Sequence, residues 1–209
     1  AIKLIELSKS ADGYRVEAYR VMTLPANTMV EKNIADIPAL ADTLEKLVAS
    51  SGTKLTDTAV AVSGSSVITK EIELPAGLTD LQMEMQIEVE ADQYIPYPME
   101  EVAFDFDVIG PVESNEDLVK VLLVACRQEN VEHRREALEM AGLNPKVVDV
   151  EGFAIERAYQ LMASQSSRSS TSTGGSSRRS DTSTRRRHYT ATTHSRRTNA
   201  PAWKPAWER

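Results

Sequence analysis

The order of apolar and polar side chains predicts that strands and helices alternate along the chain. Residues 2–7 and 14–22 each alternate between apolar and polar side chains, and Asp12-Gly13 between them favours a turn, so a β-hairpin is expected. Residues 38–50 place leucine and valine side chains at helical spacing, and the following Gly52 is typical of the end of a helix. The chain is therefore expected to open with a hairpin and an amphipathic helix.

Two strands are predicted next, on either side of a serine-rich turn. Residues 58–62 form a short, wholly apolar run, which is typical of a buried parallel strand in an α/β sheet. Ser63–Ser66 contains one glycine, no lysine and no following helix, so a plain turn is favoured over a phosphate-binding loop. Residues 66–74 then alternate as a half-buried strand does.

Residues 78–106 are the most informative stretch. Thr79 and Gln82 form a T-x-x-Q capping box, so a helix should begin there, and Pro96 disfavours helical backbone in Ile95, near which it should end. This helix has two apolar sides. Either it is sandwiched between two layers of its own domain, which we favour, or one side faces a partner. Leu81, Met85 and Val89 form one side, and Met83, Ile87 and Tyr94 form the other.

The remaining pattern predicts a β-α-β-β-α block and then one more βα unit. Strands at 102–110 and 117–126 and a helix at 129–143 complete the block. A short apolar strand at 145–150 leads directly into a helix at 151–162. The residues expected on the buried side of that last helix are Phe153, Ala154, Ala158, Leu161 and Met162.

Composition divides the chain into two parts. Up to Ser164 there are 14 basic and 29 acidic residues, a net charge of −15, whereas from Gln165 onward there are 10 and 2, a net charge of +8. The second part is rich in Ser, Thr and Arg, so we expect disorder. Nonspecific contact of this tail with nucleic acid is an alternative function, which we do not favour. The single cysteine, Cys126, lies in an apolar run and is expected to be a buried, inert thiol in a reducing compartment.

Residues suited to catalysis are scarce. The best-placed acids are Asp149 and Glu151, where the strand at 145–150 meets the next helix. Ligands of open α/β sheets bind at the carboxyl ends of strands, so these carboxylates could order a magnesium ion or a water. The alternative, which the residues alone favour, is that Glu151 simply complements the positive end of the helix dipole.

Four segments carry a family resemblance: VITKEIELPAGL, QIEVEADQYIPYPMEEVAFDF, LLVACRQENVEHRREALEMAGL and VVDVEGFAIERAYQL. Together they resemble the type IV pilus assembly protein PilM family, which is related to FtsA. The resemblance covers Ala1 to about Met162. It implies an α/β, actin-like partial lobe made of residues 1–68 and 144–164, an inserted FtsA-type β-α-β-β-α subdomain at 69–143, and a disordered basic tail at 165–209.

The resemblance also implies nucleotide chemistry in the full-length family, whose members bind ATP with magnesium between two lobes. The family's first phosphate loop would fall before Ala1, and the second phosphate loop and the adenosine motif would fall after Met162. Glu151, with Asp149 beside it, matches the position that helps place the attacking water. We therefore expect this chain to hold no nucleotide and not to act as an enzyme, with an active full-length ATPase as the alternative.

The partner implied by the resemblance is the short cytoplasmic N-terminal segment of the inner-membrane protein PilN. The chain would then be a cytoplasmic scaffold, peripheral at the inner face of the bacterial inner membrane, that links PilN to the pilus motor ATPases. Tyrosines and rigid prolines suit a peptide groove because they lose little entropy on binding. The alternative is a subdomain hinge and core plug. The candidate partner-binding residues are Tyr94, Ile95, Pro96, Tyr97 and Pro98.

Both ends of the chain depart from the family pattern. The chain opens on Ala1 in the middle of a predicted strand, which suggests that sequence upstream is missing. The abrupt change after Ser164 suggests out-of-frame translation of the tail. A one-base shift in the encoding DNA that restores a phosphate loop would support that hypothesis.

Overall fold

The computed structural model describes residues 1–10 and 13–169. Strands and helices alternate in this part of the chain, as the sequence predicts. The strands are β1 (Ile2–Ser10), β2 (Gly13–Met22), β3 (Met29–Val30), β4 (Asn33–Ile34), β5 (Asp57–Val62), β6 (Val67–Pro75), β7 (Val102–Val112), β8 (Asn115–Arg127) and β9 (Asn144–Val150), and the helices are α1 (Ile37–Ser51), α2 (Asp80–Glu90), α3 (Gln128–Met140) and α4 (Glu151–Ser169).

The predicted opening hairpin and first helix are confirmed. Strands β1 and β2 pair antiparallel, although Asp12 of the predicted turn lies outside the described residues. Helix α1 begins where the Asp36 carboxylate accepts the backbone N–H of Ala39 at 2.9 Å. It ends at Gly52, whose left-handed backbone (φ 75°) favours glycine. Local sequence signals thus set both ends of α1.

Strands β5 and β9 pair in parallel, with Val62 opposite Val150. The prediction that β5 is a parallel strand is confirmed, but the expectation that it is wholly buried is wrong, because among its residues only Val62 is fully buried. The strand has one hydrogen-bonded neighbour in the described part of the chain, and its earlier residues reach solvent. The carboxyl ends of both strands nevertheless lie at the same edge of the sheet.

The predicted β-α-β-β-α block is confirmed as an antiparallel sheet in the order β6-β8-β7. The central strand, β8, contributes side chains to two hydrophobic cores, because alternate side chains of a strand point to opposite faces of the sheet. Leu123 and Ala125 pack with α2, whereas Val124 and Cys126 pack with α3, β5 and β9. Strand β8 therefore joins the inserted subdomain to the rest of the chain.

Helix α2 begins with the predicted capping box. The backbone N–H of Thr79 donates to Gln82 Oε1 at 2.9 Å, and the backbone N–H of Gln82 donates to Thr79 Oγ1 at 3.4 Å. The α-helix ends at Glu90, earlier than predicted, and one 3₁₀ turn at Ala91–Gln93 follows before the prolines. The favoured sandwiched arrangement is wrong, because Met83 and Ile87 are buried while Leu81, Met85 and Val89 are 62%, 59% and 81% exposed.

Helix α4 begins at Glu151 as predicted and continues to Ser169. The predicted onset of the tail at Gln165 thus falls inside the helix, and residues 170–209 lie outside the described residues. The prediction of a long buried side is also wrong. Phe153 packs against the core near β9, and Ala154 is half-buried. The later residues of that side are exposed, because the two-stranded sheet covers only the first turns of the helix. These residues are Ala158, Leu161 and Met162.

Candidate functional sites

The segment that follows α2 lines an open surface depression of about 570 Å³. Ile95 is only 3% exposed and belongs to the core beneath the depression, while Pro96 and Pro98 are exposed at its surface. The two prolines fix the backbone on either side of Tyr97, which is half-buried. Of the predicted partner-binding residues, those at positions 96–98 therefore reach the surface most directly.

Both tyrosines of this segment are held by neighbouring charged groups. Tyr94 Oη donates to Glu90 Oε2 at 3.0 Å, and burial together with this carboxylate raises the pKa of Tyr94. The Arg127 guanidinium lies over the Tyr97 ring, 4.6 Å from its centroid. Both rings also pack against the core of the subdomain. Of the two tyrosines, Tyr97 lines the depression and forms its aromatic wall.

Sequence reasoning missed three residues of this site. Met99 and Glu100 line the depression together with the predicted segment. Arg127 comes from the far end of β8, where the hairpin register places it opposite Val102. Two register shifts between the turn and Val102 hide this pairing from a simple count along the hairpin.

A second candidate site lies at the shared edge of β5 and β9. The Ser63–Ser66 turn follows β5, and Glu151 follows β9. The Ser66 N–H donates to the Ser63 carbonyl at 2.9 Å, and the two hydroxyls of Ser63 and Ser65 are 2.9 Å apart. The turn is closed on itself, which agrees with the plain-turn interpretation rather than with a phosphate-binding loop.

The two acids predicted at this edge both face cationic side chains. The Glu151 carboxylate is half-exposed, and its Oε2 lies 3.9 Å from Lys32 Nζ. The Asp149 carboxylate accepts from the Val150 N–H at 2.7 Å and from the Arg157 guanidinium. No group of three His, Cys, Asp or Glu side chains that could hold a metal occurs in the described part of the chain. These residues alone do not fit a magnesium–nucleotide site.

Arg134 is the most deeply buried cation of this region, and the sequence analysis did not single it out. Its side chain donates to the carbonyls of Ala61 at 3.0 Å, Asn130 at 2.7 Å and Lys32 at 3.2 Å. Burial lowers the pKa of its guanidinium. Lys32 itself has a left-handed backbone, with φ 68°. Arg134 thus ties α3 to the end of β5 and to the turn between β3 and β4.

Spacing could have identified Arg134. It lies three residues after Val131 and four before Leu138, which are both buried, so it falls on the buried face of α3. His133, beside it, is half-buried. A charged residue in the apolar register of a helix is a signal of an internal hydrogen-bonded cation.

The prediction that Cys126 is buried is confirmed. Its side chain is buried between β8 and the packed strands β5 and β9. Burial raises the pKa of the thiol to about 11, although the nearby positive charge of Arg134 opposes this effect. A thiol with such a pKa is almost entirely protonated at neutral pH and is a poor nucleophile.

The fold and the two sites define an α/β protein of the actin-like class, in which a partial lobe carries an inserted three-stranded subdomain. The first site is an open depression beside Tyr97 and Arg127, and at the second site Asp149 and Glu151 contact Arg157 and Lys32. Residues 1–174 match the family described as type IV pilus assembly protein PilM. The chain therefore belongs to the PilM family of type IV pilus assembly proteins.

Several solved structures resemble the chain, and two of them are a pilus-biogenesis complex and a secretion-system domain. The first, a PilM-PilN type IV pilus biogenesis complex, is 34% identical over 73% of this chain, with a TM-score of 0.63. The second is the cytoplasmic domain of EpsL, an inner-membrane component of the Vibrio cholerae type II secretion system, at 17% identity over 71% of this chain and 52% of its own, with a TM-score of 0.43. The chain spans 45% of the solved PilM chain. None of the described helices has the length and apolar character needed to cross a membrane.

Proposed function

We propose that the chain is a docking scaffold of type IV pilus assembly, which binds the cytoplasmic N-terminal segment of PilN at the depression lined by residues 95–100. The observation that carries the proposal is the preformed surface there, with exposed Pro96 and Pro98 beside a Tyr97 ring stacked on Arg127. The solved relative that is named a PilM-PilN complex supports PilN as the partner.

Rigidity is the physical reason why this surface suits a peptide. A flexible peptide loses conformational freedom on binding, so affinity improves when the receptor has little freedom left to lose. Proline fixes its own φ, and the Tyr97 ring is already held between the core and the Arg127 guanidinium. A half-buried aromatic ring also offers a large contact area for an apolar peptide side chain.

By binding PilN, the chain would be held at the cytoplasmic face of the inner membrane and would link PilN to the pilus motor. In this proposal membrane association comes through the partner. It predicts that the chain purifies with membranes when PilN is present and separates from them when the PilN N-terminal segment is deleted.

We further propose that this chain, as given, is not an enzyme and holds neither ATP nor magnesium. Support comes from Asp149 and Glu151, which contact Arg157 and Lys32, and from the Ser63–Ser66 turn, which is closed on itself. Thermal unfolding with and without magnesium and ATP tests this. We expect the midpoint temperature of unfolding to be unchanged by magnesium and ATP. A nucleotide-dependent rise in this temperature that Glu151→Gln removes would contradict the proposal.

Titration of a fluorescent PilN N-terminal peptide by anisotropy tests the docking site. Pro98→Glu puts a long charged side chain in the depression, and Tyr97→Ala removes its aromatic wall. We expect each variant to bind at least about tenfold more weakly, since such contacts contribute about 1–3 kcal/mol. Pro111→Glu changes another exposed proline of the same subdomain and should bind normally. Unchanged affinity in both site variants would refute the assignment.

A further inference from the structure

Helix α2 presents an apolar stripe to solvent, which we call the α2 stripe: Leu81, Met85 and Val89. These residues are four positions apart, so they lie along one line on the helix surface. They are 62%, 59% and 81% exposed, and Val89 is the most exposed large apolar side chain in the described part of the chain. Methionine at the centre of the stripe has a flexible side chain that adapts to different partners.

The α2 stripe is not needed for the core of its own subdomain. The opposite side of the helix supplies Met83 and Ile87 to the cluster formed with β6, β7 and β8. That cluster is closed by residues at the end of the helix, including Ala91 and Ile95. An exposed apolar line beside a complete core is typical of an interaction surface rather than of incomplete folding.

The two edges of the α2 stripe differ in charge. At about 100° per residue, Glu84 and Glu88 lie along one edge, and Gln82 and Gln86 lie along the other. Helix α2 carries four acidic residues and no basic residue. The stripe is therefore apolar along its centre and negative along one edge.

We propose that the α2 stripe binds an amphipathic helix of another protein that carries lysine or arginine along the edge facing Glu84 and Glu88. A basic edge complements these carboxylates, and an apolar line at the same four-residue spacing packs against Leu81, Met85 and Val89. The surface is separate from the depression that we assign to PilN, and the proposal goes beyond that function. Because the area is small, we expect weak, reversible binding.

The same charges disfavour two other occupants. In a symmetric antiparallel pair of α2 helices from two copies of the chain, each glutamate edge would face the other, and like charges in contact are destabilising. In a parallel pair the glutamates would face the glutamine edge, which offers no positive charge. Anionic lipids would also be repelled by the four acidic residues of the helix.

The test uses the full chain and a fluorescent synthetic helix of about five turns, with leucine at four-residue spacing and lysine along one edge. A matched helix carries glutamate in place of lysine. We expect the lysine helix to bind, the glutamate helix to bind at least about tenfold more weakly, and added salt to weaken the first. Met85→Asp should abolish binding, while Leu55→Asp, at an equally exposed leucine outside the helix, should leave it unchanged.

Charge reversal provides the sharpest result. The double variant Glu84→Lys and Glu88→Lys should bind the glutamate helix more tightly than the lysine helix. A surface that binds apolar helices nonspecifically would show no such change of preference. Circular dichroism confirms that each variant is folded. Met85→Asp should also leave the affinity for the PilN peptide unchanged, so failure here is distinguishable from failure of the docking proposal for PilN.

Four results would overturn the proposal. These are equal binding of the two synthetic helices, binding that survives Met85→Asp, sedimentation in which Met85→Asp alone converts a dimer to a monomer, and binding to vesicles of anionic lipid that Met85→Asp removes. A fifth result would also overturn it. If trimming the chain after Ser169 tightens binding of the lysine helix, the chain's own C-terminal residues occupy the α2 stripe.

Discussion

Replacing Arg134 by methionine removes a buried cation while keeping most of the apolar length of the side chain. In the folded chain this guanidinium donates to the carbonyls of Ala61 and Lys32, which lie 73 and 102 residues away in sequence. Its side chain thereby joins α3 to the end of β5 and to the turn between β3 and β4. The substitution should therefore loosen the junction between the inserted subdomain and the rest of the lobe.

The magnitude follows from the hydrogen bonds that are lost. A hydrogen bond from a charged donor contributes about 1.5–3 kcal/mol to the free energy of unfolding. The two long-range bonds therefore contribute about 3–6 kcal/mol before the desolvation of the guanidinium is subtracted. Burying the guanidinium offsets part of this gain, which leaves an expected loss of about 2–4 kcal/mol in the free energy of unfolding. Arg134→Lys should lose less stability than Arg134→Met, because lysine keeps the positive charge. It should still be less stable than the parent chain, because lysine lacks the planar fork of donors.

Urea unfolding followed by circular dichroism measures this loss. The matched control is Arg135→Met on the same helix, since the Arg135 side chain is only 19% exposed and pairs within the helix, at 3.4 Å with the exposed Glu139. An ion pair between helix positions four apart contributes about 0.2–0.5 kcal/mol, so the control should be close to the parent chain. If Arg134→Met costs no more than Arg135→Met, the assigned role of the buried guanidinium is wrong.

Three further predictions concern stability. Burial holds the pKa of Cys126 at about 11, above its ordinary value of 9.0. The free energy of unfolding should therefore fall by about 2–3 kcal/mol as the pH rises through this interval. Cys126→Ala should remove this pH dependence, which urea unfolding at a series of pH values measures. Burial also raises the pKa of Asp107, so the charged form is disfavoured, and Asp107→Asn should gain stability relative to the parent as pH rises from about 4 to 7. Thr79→Ala should cost about 1 kcal/mol, and adding Gln82→Ala should cost less than the sum of the two single losses, because both belong to one capping box.

Features whose cause is local were predictable from the sequence. The capping box at Thr79 and Gln82 and the helix end at Gly52 act within a few residues, and both occur where expected. The β-α-β-β-α order follows from signals of the same local kind. The turn at Pro96 and Pro98 was also predicted, since proline restricts the backbone whatever surrounds it.

Exposure was not predictable, because it depends on what packs against a surface rather than on the surface itself. The pattern shows two apolar sides on α2, and only the structure shows that Met85 faces solvent while Ile87 is in the core. The same holds for Leu161 on α4. Arg127 and Arg134 were missed because their contacts join residues that are distant along the chain.

The most direct test of the docking account is site-specific photocrosslinking to the PilN N-terminal peptide. A benzoylphenylalanine replacing Pro98 lies at the depression, whereas the same group replacing Leu55 or Met85 lies on other exposed surfaces. We predict a covalent product with the peptide from position 98 and background levels from positions 55 and 85. A product from position 85 or 55 with none from position 98 would contradict the assignment of this surface to PilN.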